Sequence, residues 1–349
     1  MRNIVQHFLQ KEVDRGAIPG AVIHVARHGK TLLDETVGFK TVYPERREMA
    51  SDTIFDLASL TKVVATLPAV LKLLDCGEVR LDDRVSFFLP AFSSNGKEQV
   101  RIRHLLTHTS GLPAHRHYYA ERLTEEQIVA RICEEIPEAP PGKQVVYSDL
   151  GFIILYRLIE QITGEKFADF VRQEIFEPLG MTETGFCPAF AKNRYAATEY
   201  SETLKQYKLG IVHDENAEAM GGISGHAGLF STGNDLQRFA AMMENNGHYQ
   251  KKQMLSAVSV ELSRNNFTPG AAEYRGLGWA LKNPEFSSCG DLFSESSYGH
   301  TGFTGTSIWF DPSVSLRVIL LTNRVHLGRH DDILRLRPRL HNLIRSRLG

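Results

Sequence analysis

Ser59 and Lys62 stand three residues apart at the head of a stretch in which Val63, Leu67, Val70, Leu71 and Leu74 recur at helical spacing. On a helix that spacing puts the hydroxyl and the amine one turn apart on the same side. A serine hydroxyl is a poor nucleophile at neutral pH and needs a base, and an ammonium desolvated in a cleft has its pKa lowered toward that task. The helix N-terminus adds positive potential for an oxyanion developing nearby. The chemistry these residue types suggest is acyl transfer, with Ser59 as nucleophile and Lys62 beside it as base.

Ser-x-x-Lys alone is expected by chance about once in a few hundred residues. Ser94-Asn95-Gly96-Lys97 also fits it, but that run forms turns and no apolar helix follows. Two more segments join the first. Tyr147-Ser148-Asp149 comes after Pro140-Pro141-Gly142 and opens a helical run from Leu150 to Ile162 that stops at Gly164. A phenol paired with an amine could carry a proton to a leaving group. The same residues also suit a purely structural use, with Ser148 or Asp149 as a helix cap and Tyr147 as a half-buried aromatic. His300-Thr301-Gly302-Phe303-Thr304-Gly305 precedes a β-rich stretch from Thr306 to Phe310. Its small residues would let a strand edge come close to a substrate, so that a backbone N–H completes an oxyanion hole with the Ser59 N–H.

The elements that must hold these groups read as α+β. Residues 3–15 have helical spacing, and Ala21 to Ala26 and Thr31 to Val37 read as two strands around Arg27-His28-Gly29-Lys30. From about Phe55 to residue 265, helical patterns broken by Pro and Gly dominate. Strand character returns at Gly278-Trp279-Ala280, Thr306 to Phe310 and Leu316 to Thr322, with a turn at Asp311-Pro312-Ser313. The expectation is one antiparallel sheet built from both chain ends, with a mostly helical region inserted between them. The 349 residues make one catalytic unit, with a sheet subdomain over 1–54 and 266–349 and a helical subdomain over 55–265.

Composition narrows the function classes. Apolar residues at 42% and charged residues at 23% are ordinary for a folded enzyme, and a net charge of -1 with no single-sign block gives phosphates no track. Nucleic acid is not an expected partner. Arg335 to Arg347 carries Leu336, Leu340, Leu343 and Ile344 on one helix face, which reads as a packed terminal helix with solvated arginines. Cys76, Cys133, Cys187 and Cys289 are widely spaced, as reduced thiols are. Lys11, Glu12, Asp14 and Arg15 cut short any signal-peptide core, and no run approaches the ~20 apolar residues of a membrane span. Cytoplasmic residence and no membrane anchor are expected.

Taken together, Ser59-Leu60-Thr61-Lys62, Tyr147-Ser148-Asp149 and His300-Thr301-Gly302 resemble the three-element set of serine beta-lactamases and penicillin-binding proteins. The order and spacing are most similar to the branch holding class C beta-lactamases, esterases and D-amino-acid peptidases, whose middle element is Tyr-x-Asn. Leu105-Leu106-Thr107-His108-Thr109-Ser110-Gly111-Leu112, Pro178-Leu179-Gly180-Met181 and Gly228-Leu229-Phe230-Ser231-Thr232 resemble the same superfamily, so the likeness runs from about residue 18 to 325. It implies that Ser59 attacks a carbonyl, that Lys62 and Tyr147 serve as base and acid, and that the Ser59 and Phe303 N–H groups hold the oxyanion. Asp149, His300, Thr301, Gly302 and Phe303 would contact substrate, and neither a metal nor an organic cofactor is called for.

Two departures bear on substrate. Asp149 stands where the family has Asn, and a carboxylate has no amide hydrogen to donate to a substrate carbonyl. His300 stands where the family has Lys, so a substrate carboxylate meets a group charged only below about pH 6.5. The implied substrates are esters or peptide-like amides, of esterase, D-amino-acid peptidase or muropeptide amidase type, with weak or no beta-lactam hydrolysis. Val212-His213-Asp214-Glu215-Asn216 and Gly221-Gly222-Ile223-Ser224-Gly225-His226-Ala227-Gly228 resemble a subgroup of these hydrolases, some linked to trimming peptide from muramyl sugars. The polar cluster at 213–216 would line the cleft or form an exposed loop.

Other readings remain. His104 and His108, with His115 and His117 nearby, have a spacing that zinc sites use, though no Glu follows His104. Gly222-Ile223-Ser224-Gly225-His226 lacks the last Gly of a nucleophile elbow. A non-catalytic binding or sensor protein of the same fold is the second class, motivated by Asp149 and His300.

Overall fold

Alternation decides the sheet. In a strand successive side chains face opposite sides, so a strand covered on both faces reads as a continuous apolar run. Leu316–Thr322 and Gly20–Arg27 come close to this, broken by Arg317 and His24, and in the computed structural model, which describes residues 1–348, they pair antiparallel at the centre of a seven-stranded sheet. In chain order its strands are β1 (Gly20–Arg27), β2 (Lys30–Thr41), β3 (Arg47–Glu48), β4 (Ala280–Leu281), β5 (Tyr298–Thr301), β6 (Ser307–Asp311) and β7 (Leu316–Thr322). The spatial order is β4-β5-β6-β7-β1-β2-β3, so the two chain ends meet where β1 pairs with β7, Val22 opposite Leu321 and Val25 opposite Val318. This is the α+β arrangement expected from the sequence.

The helices that matter here are α1 (Arg2–Asp14), α2 (Leu67–Asp75), α3 (Asp149–Thr163), α4 (Glu215–Ala219), α5 (Gly233–Glu244) and α6 (Asp332–Arg345). Ile23, Val25, Trp309, Val318 and Leu320 point to one face and pack with Val5 and Leu9 of α1 and Leu336, Leu340 and Ile344 of α6. Val22, Ile308, Phe310, Ile319 and Leu321 point to the other face, into the larger core that holds Leu236 and Phe239 of α5 and the apolar side of α2. Each fully buried Leu, Val or Phe contributes roughly 1.5–3 kcal/mol. The basic C-terminal segment is thus a packing helix, and no helix among the described residues is long and apolar enough to cross a membrane.

Between the two halves lie mainly helices, tied by a small sheet in which Leu229–Ser231 pairs with both Phe55–Asp56 and Gly185–Phe186. That sheet delivers the chain to Ser59. One strand differs from expectation. His300 and Thr301 belong to β5 itself, paired with Ile308 and Ser307, and the turn is Gly302–Thr306. Gly299 looks like turn chemistry but is a packing residue: a Cβ there would come within 2.4 Å of the Trp309 ring, which lies across it.

Candidate active site

The nucleophile stands at the head of a composite helix. Ala58–Leu60 is a 3-10 turn, Lys62–Thr66 is π-helical, and α2 continues to Asp75. Such mid-helix irregularities are common at functional positions. Ala58, directly before Ser59, is left-handed at φ 46, a conformation costly for a residue with a Cβ. Buried Asp56 holds it there, accepting from Ala58 N at 2.8 Å and from His213 N at 2.6 Å. Ser59 Oγ ends 3.0 Å from Lys62 Nζ, as the spacing requires.

Lys62 is fully buried, and all three of its ammonium protons have acceptors: Ser59 Oγ, Asp149 Oδ1 at 2.7 Å and His226 O at 3.1 Å. Burial pulls its pKa down, but Asp149, followed by Tyr147, outweighs burial and carries the pKa above the ordinary lysine value. This corrects the expectation of a lysine depressed by desolvation, because the carboxylate supplied by Asp149 was not reckoned as its partner. Burial likewise penalises Asp149, yet Lys62, His115 and His226 keep it ionised far below the usual carboxylate range.

Tyr147 and Asp149 are delivered by the loop before α3. Ser148 is the cap, its Oγ accepting from Gly151 N at 3.4 Å and donating to Pro113 O at 2.6 Å. The segment Leu105–Leu112 lies beneath as scaffold. His108 has φ 56, its ring packs 4.4 Å from Tyr147, and its Nδ1 accepts from Ser148 N at 3.0 Å. Burial holds His108 far below its usual pKa, so it stays neutral and the proton rests on Nε2. The Lys62 ammonium lies 4.9 Å from the centre of the Tyr147 ring, a cation over an aromatic face.

The third element closes the site from the sheet. Thr304 Oγ1 donates to Asp56 O at 2.8 Å and Thr306 Oγ1 to Leu57 O at 3.0 Å, fastening the 302–306 turn to the strand that leads into Ser59. Gly302 is needed for this approach, since a Cβ would meet Leu57 O at 2.4 Å. Buried Arg337 donates to Gly302 O at 3.0 Å and Thr306 O at 2.9 Å from beneath. Among the described residues no acceptor takes the backbone N–H of Ser59 or Phe303, which leaves both for an oxyanion.

His300 is not a cleft cation. It is buried, burial and the nearby Lys62 and Arg275 charges hold it well below its usual pKa, and its Nδ1 donates to Thr301 O at 2.8 Å. The neutral ring lies 5.9 Å from Tyr147 and packs against it. Phe303 instead faces outward, 46% exposed, with the His213 ring stacked 5.5 Å away.

Asp214, His226, Ser224 and His115 extend the site's network. Asp214 Oδ1 lies 2.8 Å from His226 Nε2, and His226 Nδ1 lies 2.8 Å from Ser224 Oγ. His115 Nδ1 lies 3.6 Å from Asp149 Oδ2, and that carboxylate, opposed by burial, raises the His115 pKa. The 213–216 cluster is not an exposed loop: Asp214 caps α4, Asn216 is buried, and His213 and Glu215 line a cavity next to Phe303. Asp149, Asp214 and His226 bring ligand-type atoms within 4.8 Å of one another, but Lys62 and the Asp214–His226 bond already engage them. His104 and His108 do not converge: His104 Nδ1 accepts from Arg101 N at 3.2 Å, and His108 has left the helix. Ser224-His226-Asp214 has the composition of a hydrolytic triad, but Ser224 is fully buried and no carbonyl could reach it.

A profile of the Beta-lactamase family matches residues 2–342. The chain belongs to the Beta-lactamase family. Among curated relatives, an N-acetylmuramyl-L-alanine amidase of Bacillus subtilis (strain 168) is 32% identical over 361 aligned residues, 92% of this chain and 80% of that protein. A putative D-alanyl-D-alanine carboxypeptidase of Escherichia coli (strain K12) is 35% identical over 309, covering 78% and 70%. Among solved structures, EstCE1, a hydrolase with promiscuous acyltransferase activity, superposes with a TM-score of 0.78 at 25% identity, covering 97% of this chain and 98% of that one. The octameric penicillin-binding protein homologue of Pyrococcus abyssi shares the fold at a TM-score of 0.76 and 23% identity, covering 98% and 77%. As a hydrolase of the Beta-lactamase family, the protein carries the Lys62–Asp149 ion pair and a buried His300 held well below its usual pKa.

The ion pair gives a signed prediction. The free amine of Lys62 forms only as pH rises through its raised pKa, so activity should climb toward alkaline pH. Asp149→Asn removes the foremost of the causes that raise that pKa and restores the family's Tyr-x-Asn. The acidic limb of kcat/KM on p-nitrophenyl acetate should move to lower pH by at least about one unit. An unmoved limb would show that Asp149 does not control the proton on Lys62.

Proposed function

We propose that this protein is a serine hydrolase that forms an acyl-enzyme on Ser59 and acts on peptide-like amides, with a muramyl amide as its physiological substrate and simple esters as accepted surrogates. The observation that carries this reading is the 3.0 Å contact between Ser59 Oγ and a buried Lys62 Nζ, next to unpaired N–H groups at Ser59 and Phe303. Lys62, once deprotonated, takes the Ser59 proton as Oγ bonds to the carbonyl carbon. Tyr147 passes a proton to the leaving amine, and water then releases the acid. The muramyl amide is favoured by the likeness to the Bacillus subtilis amidase over 92% of the chain. A neutral, buried His300 offers no cation to the carboxylate of a beta-lactam, so cephalosporins should turn over weakly or not at all. Four unpaired cysteines support a cytoplasmic location.

A non-catalytic binding protein of this fold is the second reading, favoured by the fully engaged ammonium of Lys62. Initial rates on N-acetylmuramyl-L-alanine, D-alanyl-D-alanine, p-nitrophenyl acetate and a chromogenic cephalosporin decide between them. Turnover of the muramyl amide and the ester, with a cephalosporin rate at least ~100-fold lower, is expected. Acylation without turnover on every substrate would establish the binding protein instead.

A further inference from the structure

A cavity of about 540 Å³ is lined by His213 and Arg329, both of which lie against the Phe303 ring. Its floor is α4, whose cap Asp214 belongs to the ionic network around Lys62, while Glu215 and Glu218 of the same helix face the cavity. One turn of helix, about 5.4 Å, separates the two ends. Its other wall includes His213, whose ring stacks on Phe303 at the oxyanion turn. A substrate acylating Ser59 could therefore extend into this space.

The lining is polar, pre-ordered and acidic. Arg329 Nη2 donates to Glu199 Oε2 at 2.7 Å and to Glu215 Oε1 at 2.9 Å, and Lys208 Nζ to Glu218 Oε2 at 2.6 Å. Four carboxylates, Glu199, Glu202, Glu215 and Glu218, against two cations, Lys208 and Arg329, disfavour an anion and leave a hydroxyl-rich ligand as the better fit. Paired carboxylates and guanidinium keep spare acceptor and donor positions at fixed places, as neighbouring hydroxyls of a sugar require. Tyr119 and Tyr200, the latter 42% exposed, supply flat apolar surface for the C–H face of a pyranose.

We propose that this cavity is a saccharide subsite that seats the pyranose ring of the substrate. The inference rests on the muramyl amide reading above. In N-acetylmuramyl-L-alanine one ether oxygen and one methyl-bearing carbon link the ring to the scissile carbonyl, so the sugar lies on the acyl side and close to it. Ser59 Oγ forms the ester to that carbonyl as the C–N bond breaks, the alanine amine leaves with a proton, and the sugar stays tethered until water hydrolyses the ester. The subsite thus holds the sugar through both steps.

The test compares Tyr200→Ala and Glu215→Gln with the native chain on N-acetylmuramyl-L-alanine and on p-nitrophenyl acetate. The ratio of the two kcat/KM values should fall at least tenfold, mainly through KM for the sugar substrate. An unchanged ratio in both variants overturns the subsite. If the native chain hydrolyses the ester but not the muramyl amide, the substrate reading fails on its own. Calorimetric titration with N-acetylmuramic acid then decides the cavity separately: binding that Tyr200→Ala abolishes supports it, and no binding overturns it.

Discussion

Ser59→Ala should lower kcat/KM on p-nitrophenyl acetate and on N-acetylmuramyl-L-alanine by at least ~10⁴-fold, about 5.4 kcal/mol of barrier. Deleting the hydroxyl removes the atom that forms the covalent bond, while the scaffold loses one acceptor for Lys62, which keeps Asp149 and His226. Stability should change by only about 1 kcal/mol, so the melting transition should be nearly unmoved. A rival nucleophile makes the experiment informative. Ser224 hydrogen-bonds His226, which bonds Asp214, and would become the candidate if activity survived. Its complete burial speaks against it, since a nucleophile must meet the carbonyl at about 3 Å. Peptide mapping after a fluorophosphonate label should place the adduct on Ser59 and leave Ser224 unmodified. Label on Ser224 would sink the assignment.

The sheet was legible because burial on two faces writes itself into sequence as apolar runs, as in Val318 to Leu321. The strand Tyr298–Thr301 was not, because its residues answer to partners distant in sequence. Gly299 makes room for Trp309, and His300 lies against Tyr147. Local pattern reads such residues as a turn. The same limit applied to the 213–216 cluster, where His213 and Asn216 are buried because each finds a partner elsewhere: His213 N on Asp56, and Asn216 on Arg116 O and Tyr119 N.

At the site, sequence spacing determined the one contact made within a helix, Ser59 to Lys62. The proton state of Lys62 was beyond reach, because its other acceptors arrive from 87 and 164 residues away. Asp149 was visible as a departure from Tyr-x-Asn, but only as the loss of an amide donor to substrate. The signal that could have gone further was charge: a carboxylate placed beside a lysine expected to be buried must pair with it. His226 and Asp214 were visible too, in Gly225-His226 and His213-Asp214, with nothing local to show that they meet.

Lys62→Met should depress kcat at least ~10³-fold, and the reason must be separated from instability. Among the described residues the Lys62 ammonium is the one lysine or arginine cation bonded to Asp149, and removing one partner of a buried pair destabilises by roughly 3–5 kcal/mol. Methionine fills the volume but leaves Asp149 charged, with His115 at 3.6 Å as its remaining neighbour. Lost activity in the single variant could therefore reflect a displaced Tyr147 loop. Adding Asp149→Asn removes the orphaned charge, so Lys62→Met/Asp149→Asn should recover most of the melting temperature. Activity should remain as low as in the single variant, because the base is absent in both. If the double variant regains turnover together with stability, Lys62 merely anchors Asp149, and the proton of Ser59 must leave by another route.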